Sequence, residues 1–473
     1  MKGTEAFGTE EEEQSNHPLP RPHPLPLQAT AETFEIANAL ASWPLEKIEE
    51  GGELTSAATP QPRTSSRSAA AAAAAEEEAA AAPPSLADVP DNIPVRISAF
   101  LPCLADRAHM ACVNRLWSRA VRGVGRPPPP TLPPLPPPPP QLPWLIFPNA
   151  ETPTFYSPIT RRHHRLFNLP ADVRRARLCG SGDGGWLVLA LDSRHGYALY
   201  NLGSGERFPL PPGYMTARNA PFPLVVRAAT LSAAPSRGTD YMVAAIVNAG
   251  SGGTNAAFWC EGNDTWFSPP GMRAFRPQDV IFYQGSFFFL GADERVVAFG
   301  QMPGPDGTVA FGRGDYDMEQ REGYAEDVGY GGRMRRYLVE SRGGLLMVIR
   351  YIHDGTTLTI RVFELVPTEE ELVDGALPRV TWEHIGTELE GRMLFLERGC
   401  SRCFEVADYN GFEESMIYFL DDGMVAVPSA DDRTLYSFTD MGRYDMDEIE
   451  AAPWPEGLFQ RTSDNAPPTW WLH

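Results

Sequence analysis

Between Trp144 and His473, apolar positions come in short runs separated by Gly, Pro, Asn and Asp. "GGWLVLAL" (184–191) is followed by the turn "DSRHG", by "YALYNL" (197–202), and by "GSGE". Similar pieces recur as "YMVAAIV" (241–247), "DVIFYQGSFFFLG" (279–291), "RYLVESRGGLLMVIRYI" (336–352), "LTIRVFELV" (358–366) and "MIYFLDDG" (416–423). Runs of this length, rich in β-branched and aromatic residues and bounded by turn formers, predict strands joined by tight hairpins. Strand, turn, strand, then an aromatic followed by proline repeats in units of roughly 40–50 residues. That spacing predicts an all-β domain over 144–473, either a six- or seven-bladed β-propeller of four-stranded blades or a large β-sandwich array. A propeller also protects strand edges that an open sheet of this length leaves exposed.

Upstream the period changes from two to that of a helix. In Ser85–Arg126, Asp91 is placed to cap a first helix carrying Ile93, Ile97 and Phe100–Leu101, with Pro94 admissible only in its first turn. A turn at Pro102 leads to Leu104, Ala108 and Ala111, and then to Val113, Trp117 and Val121 at helical i, i+4, i+8 spacing. A unit this small rarely stands alone, so its apolar faces are expected to meet a second protein. Residues 1–84, with "TEEEEQ" and "SAAAAAAAEEEAAAAPP", lack a recurring apolar stripe and read as a disordered low-complexity tail. Residues 127–143 hold 12 prolines in 17 positions. They read as an extended linker on the order of 50 Å long at ~3.1 Å per residue, and as a candidate docking strip for proline-reading domains.

Charge narrows the partners. The chain carries −21, and its segments differ: 14 acidic and 5 basic residues in 1–84, 3 and 6 in 85–126, 44 and 29 in 144–473. No basic face for nucleic acid or anionic membrane is expected, and no run of 18 apolar residues suggests a membrane span. Six cysteines without a framework spacing fit a reducing compartment, so the expected setting is intracellular and soluble, in cytoplasm or nucleus. Lysine occurs only at Lys2 and Lys47. Phosphate-gripping and Schiff-base lysines are therefore absent from the predicted folded regions.

Candidate chemistry thins out on inspection. "GSGDGG" (180–185) precedes a strand and not a helix, so it reads as a glycine-rich blade turn and not as a dinucleotide site. "CSRC" (400–403) lacks the second pair that structural zinc needs and reads as two strand cysteines. Cys103, His109 and Cys112 fall inside the helical unit. "AGSGG" around Ser251 has no following helix and is no nucleophile elbow. "RRHHR" (161–165) either grips an acidic partner or is a solvated hairpin turn. Residues 305–332, with seven acidic side chains against Arg313 and Arg321, read as either a recognition loop or a surface insertion. No catalytic set, metal site or cofactor motif is expected.

Two segments resemble known families. Val89-Pro90, Ile93, Ile97, Leu101-Pro102 and Val113…Trp117 reproduce the spacing of an F-box, with Val89 in place of the usual leucine and Asn114 where cysteine is frequent. "YLVESRGGLLMVIRY", "FLERGCSRCFEVADYNGFEESMIYFLDDG" and "PPTWW" resemble the kelch-related C-terminal domain of a large plant F-box family, the domain-of-unknown-function 295 type. The resemblance implies a substrate receptor of a Skp1–cullin–F-box ubiquitin ligase that catalyses nothing itself. Val89, Pro90, Ile93, Ile97, Leu101, Pro102, Val113 and Trp117 would meet a Skp1-type adaptor, and through it a cullin, while the propeller holds an unknown protein substrate. Two other classes stay open: an interaction scaffold with a degenerate F-box acting outside ubiquitination, and a propeller hydrolase or sugar-binding enzyme. On the first reading, the proline linker is expected to set the distance between substrate and ubiquitin.

Overall fold

The computed structural model describes residues 89–121 and 141–472, with gaps of which the longest are 216–220, 304–308, 369–376, 422–434 and 456–461. The predicted tail, most of the proline stretch, Asp91, Pro102 and Ser251 lie outside the described residues.

The β-domain is a six-bladed propeller. Blade 1 combines Trp144–Phe147, Thr154–Ser157 and Arg162–Arg165 with Thr469–Trp471, which pairs antiparallel to Trp144–Phe147 and so closes the ring with both ends of the domain. Blade 2 is Arg177–Gly182, Trp186–Ala190, Tyr197–Asn201 and Arg207–Leu210. Blade 3 has three strands, Val225–Leu231, Met242–Asn248 and Thr254–Cys260, with an isolated bridge from Phe258 to Phe267 at its outer edge. Blade 4 is Pro277–Tyr283, Ser286–Gly291, Val296–Pro303 and Val309–Asp315. Blade 5 runs Arg333–Ser341, Gly344–His353, Thr356–Pro367 and Arg379–His384, and adds Asp317–Glu319 in parallel at its rim. In blade 6, Arg402–Glu405 lies innermost, then Arg392–Leu396, Met416–Phe419, Gly442–Asp445 and Glu450–Pro453, with a parallel pairing in the middle.

Blades pack face to face, so most strands are covered on both sides. The strand Gly344–His353 shows the result: every residue from Leu345 to Ile352 is buried. This is why the sequence shows continuous apolar runs and not alternation. Apolar clusters fill each blade interface. One joins Val188 and Leu199 to Val226 and Val243, another sets Phe289 and Phe299 against Ala228 and Ile246, and a third sets Leu394 and Ile417 against Val339 and Val348. Truncating a buried phenylalanine such as Phe289 to alanine costs about 3–5 kcal/mol at sites of this kind.

The axis is closed by small residues and one carboxylate. Gly180 and Gly399 both abut the Ala229 carbonyl, where a side chain at either position would collide. Asp279 is fully buried; its Oδ1 accepts from Gly399 N at 2.7 Å and Val280 N at 2.8 Å, and its Oδ2 from Leu338 N at 2.7 Å. One side chain thereby ties blades 4, 5 and 6 together. The final strand is pinned on both sides: Leu472 N donates to Ser181 Oγ at 2.9 Å, and Trp470 N to Glu397 Oε2 at 2.6 Å.

Before the propeller come three short helices, α1 (Asn92–Phe100), α2 (Leu104–Ala111) and α3 (Arg115–Val121). Pro94 falls in the first turn of α1, as its missing N–H requires. The expectation that Val113, Trp117 and Val121 share one helical face is corrected. Helix α2 ends at Ala111, Val113 lies in the turn, and Asn114 starts a new helix. Asn114 Oδ1 accepts from Leu116 N at 2.8 Å and Trp117 N at 3.1 Å, satisfying donors that a helix start leaves free.

Candidate functional site

Two places in the described structure are equipped to meet another molecule. The first is the outer face of the helical unit. Ile93 (39% exposed), Ile97 (37%), Phe100 (64%) and Val113 (46%) stand out to solvent, a dense share of the large apolar side chains exposed anywhere in the described chain. Pro90 is exposed as well; Val89, Leu101 and Trp117 are partly buried, and Pro102 is outside the described residues. The sequence-predicted set therefore falls on both the surface and the inner packing of the unit. Phe100, the most exposed of the four, is an addition to that set. Its only signal in the sequence is its place beside Leu101 at the end of an apolar helix.

The opposite side of the unit is spoken for. Cys103 and Ala105 are buried in one cluster with Trp144, Ile146 and Phe155 of blade 1. Cys103 Sγ lies 3.5 Å from Ser157 Oγ, and the His109 ring sits 6.3 Å from that of His164. The helices thus rest directly on the propeller.

The second place is a cavity of about 320 Å³ at the axis, where the inner strands of blades 2, 3, 4 and 5 end beside the inner strand of blade 6. Its polar rim carries Asp183, Glu340, Arg342, Arg402 and Glu405, with Cys403 between them. Arg402 Nη2 donates to Asp183 Oδ1 at 2.8 Å, and this guanidinium holds the Asp183 carboxyl below its ordinary range. Arg342 grips Glu405 through Nε and Nη2 at 2.8 and 2.7 Å, which likewise lowers the Glu405 carboxyl. Burial pushes the Cys403 thiol up, and its neighbour at 3.2 Å is Ser341 Oγ, which accepts from Arg392 Nη1 at 2.8 Å. A thiol held protonated beside a hydroxyl is a poor nucleophile. The cavity is built for binding charged and polar groups.

The other sequence candidates have structural places. "GSGDGG" is the end of the inner strand of blade 2 and its hairpin, with positive φ at Gly184 and Gly185. Cys400 is buried in the turn before the inner strand of blade 6, where its thiol is raised by burial, and Cys403 is in that strand; both are free thiols. "RRHHR" is not a solvated turn: only Arg161 occupies it, and Arg162–Arg165 forms the outer strand of blade 1. There His164 stacks on Trp144 at 5.3 Å, and burial lowers the pKa of both His163 and His164. In the 305–332 segment, Arg321 is buried between Glu294, at 2.7 Å, and Asp327, while Arg336 also reaches Glu294 at 2.9 Å. Tyr351 Oη donates to Asp327 Oδ2 at 2.6 Å. The insertion is fastened across blades 4 and 5.

Among the described residues no group of three His, Cys, Asp or Glu side chains is placed to hold a metal ion, and no helix is long and apolar enough to cross a membrane.

Solved structures similar to the chain include the N-terminal part of BBS1 in complex with ARL6 (10% identity, 46% of this chain and 60% of that one, TM-score 0.25). Others are a gluconolactonase from Xanthomonas campestris (12%, 48% and 74%, 0.24) and the WD40 domain of SCAP from fission yeast (8%, 66% and 84%, 0.25). The chain spans less than two thirds of the first of these, and at such TM-scores the likenesses carry no functional argument. No curated protein matches it. The model of the KIB1-4 beta-propeller family matches residues 155–445, from blade 1 into blade 6 and over more than half of the sequence. The chain belongs to the KIB1-4 beta-propeller family.

Proposed function

We propose that the protein is a two-ended adaptor, the substrate-recognition subunit of a Skp1–cullin–F-box type ubiquitin ligase. The helical unit docks a Skp1-type adaptor through Pro90, Ile93, Ile97, Phe100 and Val113, backed by Val89, Leu101 and Trp117, and the propeller binds a protein substrate. The chain acts by proximity: it raises the local concentration of substrate lysines beside the ubiquitin-charged enzyme. The observation that carries this reading is the apolar face of α1 and the turn after α2, left open while the reverse side packs on blade 1. Exposed apolar side chains concentrated on so small a unit mark a protein-docking surface.

Immobilised Skp1-type adaptor tests it. The wild-type chain is expected to be retained, Ile97→Glu to be lost, and Leu358→Glu, on an exposed propeller position, to bind normally. If the wild type passes through unretained, the degenerate-module reading replaces this one: an interaction scaffold working outside ubiquitination. Val89 at the usual leucine position is the feature that favours that alternative.

A further inference from the structure

The axial cavity has a chemical preference. Part of its wall is apolar, formed by Leu231, Ala234, Ile281, Phe282 and Phe404 among the polar side chains of Thr230, Ser232, Ser341 and Ser401. At the rim, each arginine is already committed: Arg402 to Asp183 at 2.8 Å, and Arg342 to Glu405 at 2.7 Å with Glu390 at 3.7 Å behind it. Glu340 differs. It is exposed, makes no ion pair or hydrogen bond through its carboxylate among the described residues, and acts on Arg402 only through its field. An incoming anion would have to break an existing pair to find a cation, whereas an incoming cation finds a carboxylate waiting.

We infer that this cavity receives an arginine or lysine side chain of a protein partner, the aliphatic stem lying along the apolar wall and the charged head meeting Glu340. Three independent features fit such a guest. Long basic side chains bury a carbon stem while keeping the head in polar surroundings. A volume of about 320 Å³ suits one large side chain with some backbone and not a bulky cofactor. The field of a domain with 44 acidic against 29 basic residues steers cations toward it. This rests on reading the propeller as the substrate end, and it narrows the substrate to one presenting a basic residue in an accessible segment.

The test uses the full chain and fluorescein-labelled Gly/Ser peptides carrying one central Arg, Lys, citrulline or Glu, read by anisotropy, with free arginine as competitor. The Arg or Lys peptide is expected to bind, more weakly as salt rises, and the citrulline and Glu peptides to bind at least tenfold more weakly. Free arginine is expected to compete poorly, which separates a protein side chain from a small-molecule ligand; competition as strong as the peptide's would overturn the protein-side-chain claim. Glu340→Gln is expected to weaken binding on the order of tenfold, the scale of one charge-assisted hydrogen bond, with an unchanged melting temperature. Arg342→Gln, which releases Glu405, is expected to tighten it, so the two variants move affinity in opposite directions. Equal binding of the citrulline and Arg peptides, binding of the Glu peptide, no response to either variant, or no binding of any peptide would each overturn the inference. Adaptor capture does not enter this measurement, so failure here and failure of the ligase reading are separate results.

Discussion

At the scale of single residues, the axis is where the fold is least tolerant. Gly180 faces the Ala229 carbonyl so closely that a methyl group has no room. Gly180→Ala is expected to lower stability by about 1–3 kcal/mol, the usual cost of overpacking, and a thermal melt beside Gly253→Ala checks it. Gly253 has positive φ but open space, so that control isolates backbone strain from collision. Asp279 makes a second prediction. Burial raises its carboxyl from 3.8 to about 7, although three amide donors pull the other way. Because the folded value lies above the ordinary one, the carboxyl contributes stability that is complete below about 3.8 and is lost as pH rises through about 7. Wild type should therefore gain on Asp279→Asn between pH 8 and pH 5, by on the order of 2 kcal/mol, in urea titrations at the two pH values. A difference independent of pH would mean the carboxylate is ionised throughout.

At the scale of elements, the insertion before blade 5 owes its place to buried charge. Removing Arg321 leaves Glu294 and Asp327 buried without their shared cation. Arg321→Ala is expected to cost about 3–5 kcal/mol and to speed amide exchange across 316–330. If exchange changes no faster there than in blade 2, the ion network is not what holds the segment. The sequence showed these acidic and basic residues but not their roles, because Glu294 lies in a hairpin turn of blade 4 and Arg336 on the inner strand of blade 5, and only the folded sheets bring them to Arg321. Strands were legible for the opposite reason: the inner and middle ones are mostly buried locally on both faces, as in Gly344–His353. Blade number was harder. Blade 3 ends in a lone bridge, blade 5 borrows a parallel strand and blade 6 enters its inner strand out of order, so no even repeat survives in the sequence. The helical face was partly legible at Ile93, Ile97 and Val113, while the cavity was not. Asp183, Glu340 and Arg402 converge from separate blades and share no motif.

At the scale of the whole molecule, the contact between helices and propeller bears on the proline linker. With Cys103 and Ala105 buried against blade 1, the distance between the two ends is set by that contact. Ser157→Cys is expected to form a disulfide with Cys103 under mild oxidant, seen as a mass loss of two hydrogens and absent in Cys103→Ser/Ser157→Cys. Replacing 127–140 by Gly/Ser of equal length should leave the yield unchanged. A collapse in yield would return the spacing role to the prolines. The lysine-free stretch after Lys47 belongs to the same scale. On the proposed ligase reading it would limit self-modification, so lysines placed on exposed propeller positions are expected to shorten the protein's half-life, and an unchanged half-life would remove the idea.

The most direct measurement of the central claim is gel filtration of the full chain with a Skp1-type adaptor and the adaptor-binding part of a cullin. Co-elution of all three in equal proportion, abolished by Ile97→Glu with the propeller's melting temperature unchanged, is the predicted result. Separate elution of the wild-type chain, or a complex indifferent to Ile97→Glu, would contradict it.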